Sequence, residues 1–174
     1  SDLFISEVYE ANGGTVKYLE LFNDSDSTID LSAGDWQLWR FSNENTTYSS
    51  ISLSGQIAAK DFWVVGDDNA TSGVQTIFGS DLVDVNTSAV NHNGNDKYLL
   101  VRNATSSPDT VDSFGIDNIG NSGSFSDNQV AYRLYSALPN NGAFGQSMKS
   151  ASGDTVSSGN WVVYDITSDN ANGK

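Results

Sequence analysis

The sequence predicts an all-β domain, a sandwich of short strands joined by long polar loops. Three observations carry that prediction. Apolar and aromatic residues fall into short runs, several of them alternating with a period of two. Between the runs crowd Asn, Asp, Ser, Thr and 16 Gly, while Pro occurs only 2 times, which is the punctuation of strands and turns. A length of 174 residues fits one domain with a sizeable core and requires no second.

The first strand is expected over residues 3–10, with Leu3, Ile5, Glu7 and Tyr9 on one face and Phe4, Ser6 and Val8 on the other. Asn12-Gly13-Gly14 turns the chain. Val16 to Phe22 returns it as a hairpin, with Leu19 and Leu21 alternating against Tyr18, Glu20 and Phe22. The polar run from Asn23 to Ser27 precedes a short strand at 28–31. Residues 36–41 set Trp36, Leu38 and Arg40 against Gln37, Trp39 and Phe41, so one of the two faces is expected to be only partly covered. A strand at 48–53 follows, then one at 61–66 whose Phe62-Trp63-Val64-Val65 reads as central and buried. Residues 70–89 lack a strict period, and Val74 to Phe78 is expected as a short helix or turn across one end of the sheets. Strands resume at 97–102, 110–114, 130–135 and 161–164, a spacing that suits a sandwich. Thr167 to Lys174 offers nothing apolar to bury. The expected organisation is therefore one domain over 1–166 and a linker or tail over 167–174.

Charge narrows the function classes. The chain has 22 acidic and 8 basic side chains, a formal net charge of −14, and its five Lys and three Arg are scattered. A polyanion is repelled by such a field, and no basic run forms a footprint for its phosphates, so direct nucleic-acid binding is disfavoured. With 0 Cys, disulfides, thiolate metal sites and thiol nucleophiles drop out. No apolar stretch approaches the roughly 20 residues that span a bilayer. Ser1 runs almost directly into a strand, so a mature or excised segment is expected.

Catalytic candidates are few. His92 is the 1 histidine and lies in the turn sequence Asn91-His92-Asn93-Gly94, where an exposed polar role is expected. Gly120-Asn121-Ser122-Gly123-Ser124 lacks the strand-to-helix elbow of a serine nucleophile and reads as a flexible loop. Glu occurs at positions 7, 10, 20 and 44. Glu7 and Glu20 belong to adjacent strands and are expected to meet across the hairpin, with Arg or Lys side chains or backbone donors balancing them.

The oxygen-rich turns favour calcium over any transition metal. Asp67 and Asp68, in Gly66-Asp67-Asp68-Asn69, are the first candidates for it. Asp24 and Asp26 in the turn after the hairpin, and Asp96 in Asn93-Gly94-Asn95-Asp96, are weaker ones. No run matches a full EF-hand loop, and Asx-rich turns also arise from local hydrogen bonding alone. No cofactor is required by anything in the chain; calcium is the one ion considered. Of the 4 Trp, Trp63 and Trp161 have apolar neighbours and are expected in the core, whereas Trp36 and Trp39 are candidate ligand-contact aromatics on opposite faces of one strand.

Several strings, taken in order, resemble a known family. Phe4-Ile5-Ser6-Glu7-Val8, Lys17-Tyr18-Leu19-Glu20-Leu21-Phe22-Asn23 and Thr28-Ile29-Asp30-Leu31-Ser32 resemble the opening of the lamin tail domain family, bacterial type. The aromatic strand Trp36 to Phe41 and the stretch Ile51 to Asp61 continue the likeness. Asn93 to Val101, Val111-Asp112-Ser113-Phe114-Gly115, Val130-Ala131-Tyr132-Arg133-Leu134 and Trp161 extend it to about residues 3–164. The chain departs from the pattern in the extra residue of Ser32-Ala33-Gly34 and in the long segments 66–92 and 115–160.

The resemblance implies an immunoglobulin-like β-sandwich that serves as an accessory module and supplies no catalytic precedent. The expected role is a non-catalytic interaction module of a secreted or cell-surface bacterial multidomain protein, an extracellular nuclease being one such parent. Its expected partners are a neighbouring domain of the same polypeptide, another protein, or an extracellular polysaccharide. Two alternatives stand beside it: a calcium-stabilised carbohydrate-binding module, and a small hydrolase with its site in the long loops.

Overall fold

Thirteen strands and the turns between them make up what the computed structural model describes, namely residues 2–11, 16–43, 45–68, 74, 79, 83–92, 96–115, 129–134, 148–150 and 161–166. A seven-stranded sheet has the order β12 (Met148–Ser150), β13 (Trp161–Asp165), β11 (Gln129–Arg133), β1 (Leu3–Ala11), β2 (Val16–Asn23), β7 (Phe62–Gly66), β8 (Val85–Asn86). A four-stranded sheet has the order β10 (Asp109–Phe114), β9 (Lys97–Arg102), β4 (Gln37–Phe41), β5 (Ser49–Ser52). A third ladder pairs β3 (Ile29–Asp30) with β6 (Gln56–Ile57). The fold is thus all-β, as expected. One apolar core lies between the two large sheets, built from Leu3, Ile5, Val8, Leu19, Leu21, Val65, Ala131 and Trp161 on one side and Leu38, Ile51, Tyr98, Leu100 and Phe114 on the other.

The hairpin β1–β2 forms where expected, but strict alternation fails along β1. The register runs Ile5 opposite Leu21 and then Glu7 opposite Glu20, so Ser6 is the extra residue of a β-bulge. The bulge exchanges the two faces beyond it: Leu3, Ile5 and Val8 point inward, while Phe4, Glu7 and Tyr9 share the outer face with their partners Phe22, Glu20 and Tyr18. A second correction concerns β7, which is not central. Among the described residues its outer neighbour is the two-residue parallel strand β8, and Phe62 at its start is 50% exposed. The segment 70–89, read as lacking a strict period, supplies β8. Of residues 74–78, only Val74 falls among the described residues; it is buried with Tyr9, Val16, Val130 and Ile166. The linker expected at 167–174 and the loop at 120–124 lie outside the described residues.

Three motif residues hold the layers together. Arg133 on β11 and Asp112 on β10 form an ion pair across the sandwich, Nη2 to Oδ2 at 2.5 Å, with both side chains almost wholly buried. The same Asp112 oxygen accepts the Ile5 N–H at 2.9 Å, and Arg133 Nε donates to the Ile5 carbonyl at 2.7 Å. Pairing of β1 with β11 runs only from Glu7 to Glu10, so the ion pair takes the place of a strand partner just before the bulge. The Arg133 guanidinium also lies 4.5 Å from the centroid of the Trp161 ring. The third residue, buried Asn23, donates from Nδ2 to the carbonyls of Ser27, Ile57 and Ala58 at 2.8, 3.1 and 2.9 Å, and its Oδ1 accepts the Ser25 N–H at 3.0 Å. Gly55 is required by its backbone: φ is +103°, and a Cβ there would come within 2.5 Å of the Trp63 ring.

Candidate functional site

His92 is not an exposed turn residue. It is 2% exposed, its Nε2 lies 2.8 Å from the Tyr9 carbonyl and its Nδ1 3.0 Å from the Tyr98 hydroxyl. A carbonyl only accepts, so Nε2 carries the proton and Nδ1 accepts from Tyr98. Burial pushes its pKa down to about 3, which leaves the ring neutral and structural. The signal in the sequence was misleading because a turn composition says nothing about what folds over the turn.

The calcium candidates are distributed among different tasks. Asp24 and Asp26 face Lys60, whose Nζ lies 3.1 Å from Asp24 Oδ1 and 3.5 Å from Asp26 Oδ1, so this turn holds a cation of the chain itself. Asp96 is buried, takes Arg40 Nη1 at 3.2 Å and accepts the Asn43 N–H at 2.9 Å. Asp67 donates its N–H to the Lys17 carbonyl at 2.9 Å, and Asp68 is exposed. Among the described residues, no three His, Asp or Glu side chains converge as metal ligands.

The two candidate tryptophans part ways. Trp36 is 6% exposed and belongs to the core; a Cβ at Gly34 would come within 2.4 Å of its Nε1. It is therefore withdrawn as a ligand contact. Trp39 is half-buried on the outer face of the four-stranded sheet, stacked on exposed Tyr48 at a centroid distance of 4.0 Å and donating from Nε1 to Gln37 Oε1 at 2.9 Å.

A larger surface lies on the opposite side of the molecule. Strand register sets three cross-strand rows on the outer face of the seven-stranded sheet: Phe62–Phe22–Phe4, then Val64–Glu20–Glu7–Tyr132–Val162, then Tyr18–Tyr9–Val130–Tyr164. The last row is partly covered by Val74, Val83 and Ile166. In the first two rows Phe62 is 50% and Tyr132 43% exposed while Val162 is buried, and in the third row Tyr164 is 46% exposed. Neighbouring rings touch: Phe22 to Phe62 at 4.8 Å, Phe4 to Phe22 at 5.7 Å, Tyr132 to Tyr164 at 5.9 Å.

Glu7 and Glu20 meet here as expected, but among the described residues the groups balancing them are hydroxyls rather than Arg, Lys or backbone donors. Tyr18 donates to Glu7 Oε1 at 2.6 Å, and the bulged Ser6 donates to Glu20 Oε1 at 2.7 Å. Burial, with a smaller contribution from the charge of Glu20, pushes the Glu7 carboxyl up to about 7 against the lowering effect of the Tyr18 bond. Burial raises Glu20 as well. Burial and then the Glu7 charge push Tyr9 up to about 12, and Tyr18 and Tyr132 are raised for the same reasons, so these phenols remain hydroxyl donors. The arrangement can bind, and its Glu7 carboxyl, at about 7, holds and releases a proton near neutrality. Sequence reading missed Phe62, Tyr132 and Tyr164 as surface residues. The available signal was Tyr18-x-Glu20-x-Phe22, which already placed polar and aromatic groups on the side away from Leu19 and Leu21.

Comparison with known proteins bears on this arrangement. A family model described as Lamin Tail Domain matches residues 1–118. No curated protein matches the chain. The matched stretch contains β1 to β10, whereas β11, β13 and β12, which continue the seven-stranded sheet on the far side of β1, lie beyond it.

Proposed function

The chain belongs to the lamin tail domain family, and from that premise we propose that it is a non-catalytic interaction module of a secreted or cell-surface bacterial multidomain protein, an extracellular nuclease being one fitting parent. The observation that carries this reading is the open outer face of the seven-stranded sheet, where Phe62, Tyr132 and Tyr164 expose about half of their surface around Glu7 and Glu20. Contiguous exposed aromatic surface of this kind marks interaction sites. The neutral, buried His92 and the ion-paired Asp96 lack the reach to substrate that acid–base chemistry requires. A formal charge of −14 opposes contact with a nucleic-acid backbone, so a neighbouring domain or another protein is the fitting partner. Among the described residues, no helix is long and apolar enough to cross a membrane.

The test is turnover by the purified chain on nucleic acid, phosphate esters and polysaccharides, with Mg²⁺ or Ca²⁺ present. No turnover is expected. Hydrolysis that disappears in Glu7→Gln or Glu20→Gln would replace this reading with a hydrolase. A second reading, a calcium-stabilised carbohydrate-binding module, has one observation in its favour, the Trp39–Tyr48 stack outside the four-stranded sheet. Calcium-dependent binding on a glycan array that is lost in Trp39→Ala would establish it, with exposed Asp68 and its neighbour Asp67 the first residues to substitute for the ion.

A further inference from the structure

The outer face of the seven-stranded sheet combines two features that ordinary surfaces keep apart. Its middle row sets Glu20 and Glu7 directly opposite one another on paired strands. Directly opposed like charges are destabilising, and a cross-strand pair is normally of opposite sign. Five of the cations are paired elsewhere: Lys17 with Glu10, Arg40 with Asp96, Lys60 with Asp24 and Asp26, Arg102 with Asp109, Arg133 with Asp112; Lys149 falls opposite Val162 at the β12 end of this row, three strands from Glu7. Among the described residues the two outer carboxylates accept from hydroxyls, Ser6 to Glu20 and Tyr18 to Glu7. Around them lie aromatic side chains, with half-exposed Phe62 and partly buried Phe22 on one side and half-exposed Tyr132 on the other.

We propose that this face is the docking surface for a basic segment of a protein partner, with a lysine or arginine side chain seated over Glu7 and Glu20 and its aliphatic stem lying on Phe22 and Tyr132. The proposal rests on the interaction-module reading and names its partner chemistry. Charge complementarity selects the occupant. A cation offsets the repulsion between the two carboxylates, its methylene stem covers ring surface, and the Tyr132 face adds a cation–π contact. A neutral polysaccharide satisfies the rings but leaves two carboxylates desolvated and unbalanced. A second copy of this chain brings the same two carboxylates against its own.

The groups facing Glu7 are Glu20 and Tyr18 from β2, Tyr132 from β11, and Tyr9 from β1 itself. With the Glu7 carboxyl at about 7 in the free protein, a bound cation draws it into the ionised form. Affinity then rises about tenfold between pH 6 and pH 8, following the ionised fraction.

The experiment is an NMR titration of the whole chain with the acetylated, amidated hexapeptide Ala-Lys-Ala-Arg-Ala-Lys at low salt. Amide shifts are expected to concentrate on Phe4 to Tyr9, Tyr18 to Phe22, Phe62 to Val64 and Val130 to Tyr132. The double variant E7Q/E20Q, in which the glutamine oxygens still accept from Tyr18 and Ser6, is expected to weaken binding by about tenfold and to abolish the pH slope. The charge-matched control D26N/D68N is expected to weaken it less than about twofold. Tyr132→Ser, which removes the ring beside Glu7 and leaves both carboxylates in place, is expected to weaken it by a few-fold. Equal weakening by the two double variants, with shifts spread over the acidic surface, overturns the proposal in favour of nonspecific attraction. A neutral polysaccharide that perturbs the same amides more strongly overturns it in favour of a sugar site. Both of these results leave the module reading intact; only turnover removes that.

Discussion

On the inner side of the β1–β2 ribbon, Asp112 and Arg133 are buried as an ion pair; on the outer side, Glu7 and Glu20 are partly buried with the same sign of charge. Both arrangements take charge out of water, and they meet its cost in different ways. The inner pair balances its own charge and holds the Ile5 backbone through Asp112 Oδ2 and Arg133 Nε. The outer pair relies on two hydroxyls and on retained protons. A compensated pair serves the fold. An uncompensated pair on an open face is an arrangement that a partner improves.

The largest effect is expected from breaking the inner pair. Arg133→Met strands Asp112 in the core and should lower stability by about 3–5 kcal/mol, read from the midpoint of chemical denaturation. Combining it with Asp112→Leu should recover only part of that loss, because the Ile5 N–H and carbonyl remain without partners, at about 1–3 kcal/mol each. Full recovery would show that the backbone grip on Ile5 contributes nothing.

The next effect separates the two sides by pH. His92 is neutral in the fold down to about 3, while in the unfolded chain it gains a proton below its ordinary value of 6.5. Stability from His92 is therefore lost as pH falls from 6.5 toward 3. His92→Gln should flatten that acid limb and cost about 1–2 kcal/mol at pH 7 through the Tyr9 and Tyr98 hydrogen bonds.

Glu7 titrates with the opposite sign. Its folded value of about 7 lies above the unfolded 4.5, so the folded chain binds more protons between those values and stability falls as pH rises across that window. Glu7→Gln should accordingly gain about 1 kcal/mol at pH 8, a few degrees of melting temperature, after discounting for partial exposure; the gain should vanish near pH 4.5. A loss at pH 8 would mean that the outer carboxylate is compensated after all.

The smallest change tests the hydroxyl. Tyr18→Phe should cost about 1 kcal/mol at pH 8 and raise the Glu7 carboxyl further, measurable from its side-chain carbon shift. An unmoved Glu7 would show that the 2.6 Å bond does not govern its proton.

Much of this was legible in the chain, though unevenly. Leu19 and Leu21 against Tyr18, Glu20 and Phe22 determined the hairpin's second strand and both of its faces, because a regular strand alternates without help from its neighbours. The ordered strings over β1 to β10 determined the family, and the oxygen-rich run after the hairpin, Asn23 to Ser27, bends the chain between β2 and β3. Beyond that reach lay the bulge at Ser6, since one inserted residue leaves no mark in composition yet reverses every side chain after it. His92 and Trp36 were likewise decided by what folds over them, not by their neighbours in sequence. The pairing of Asp112 with Arg133, 21 positions apart and on different sheets, required the sandwich to close. Local alternation, turn chemistry and motif order were thus determined by the sequence on its own, because they act over a few residues. Which carboxylates are compensated and which face is left open was decided only by the tertiary structure, because charge balance and burial depend on strands that meet from distant parts of the chain.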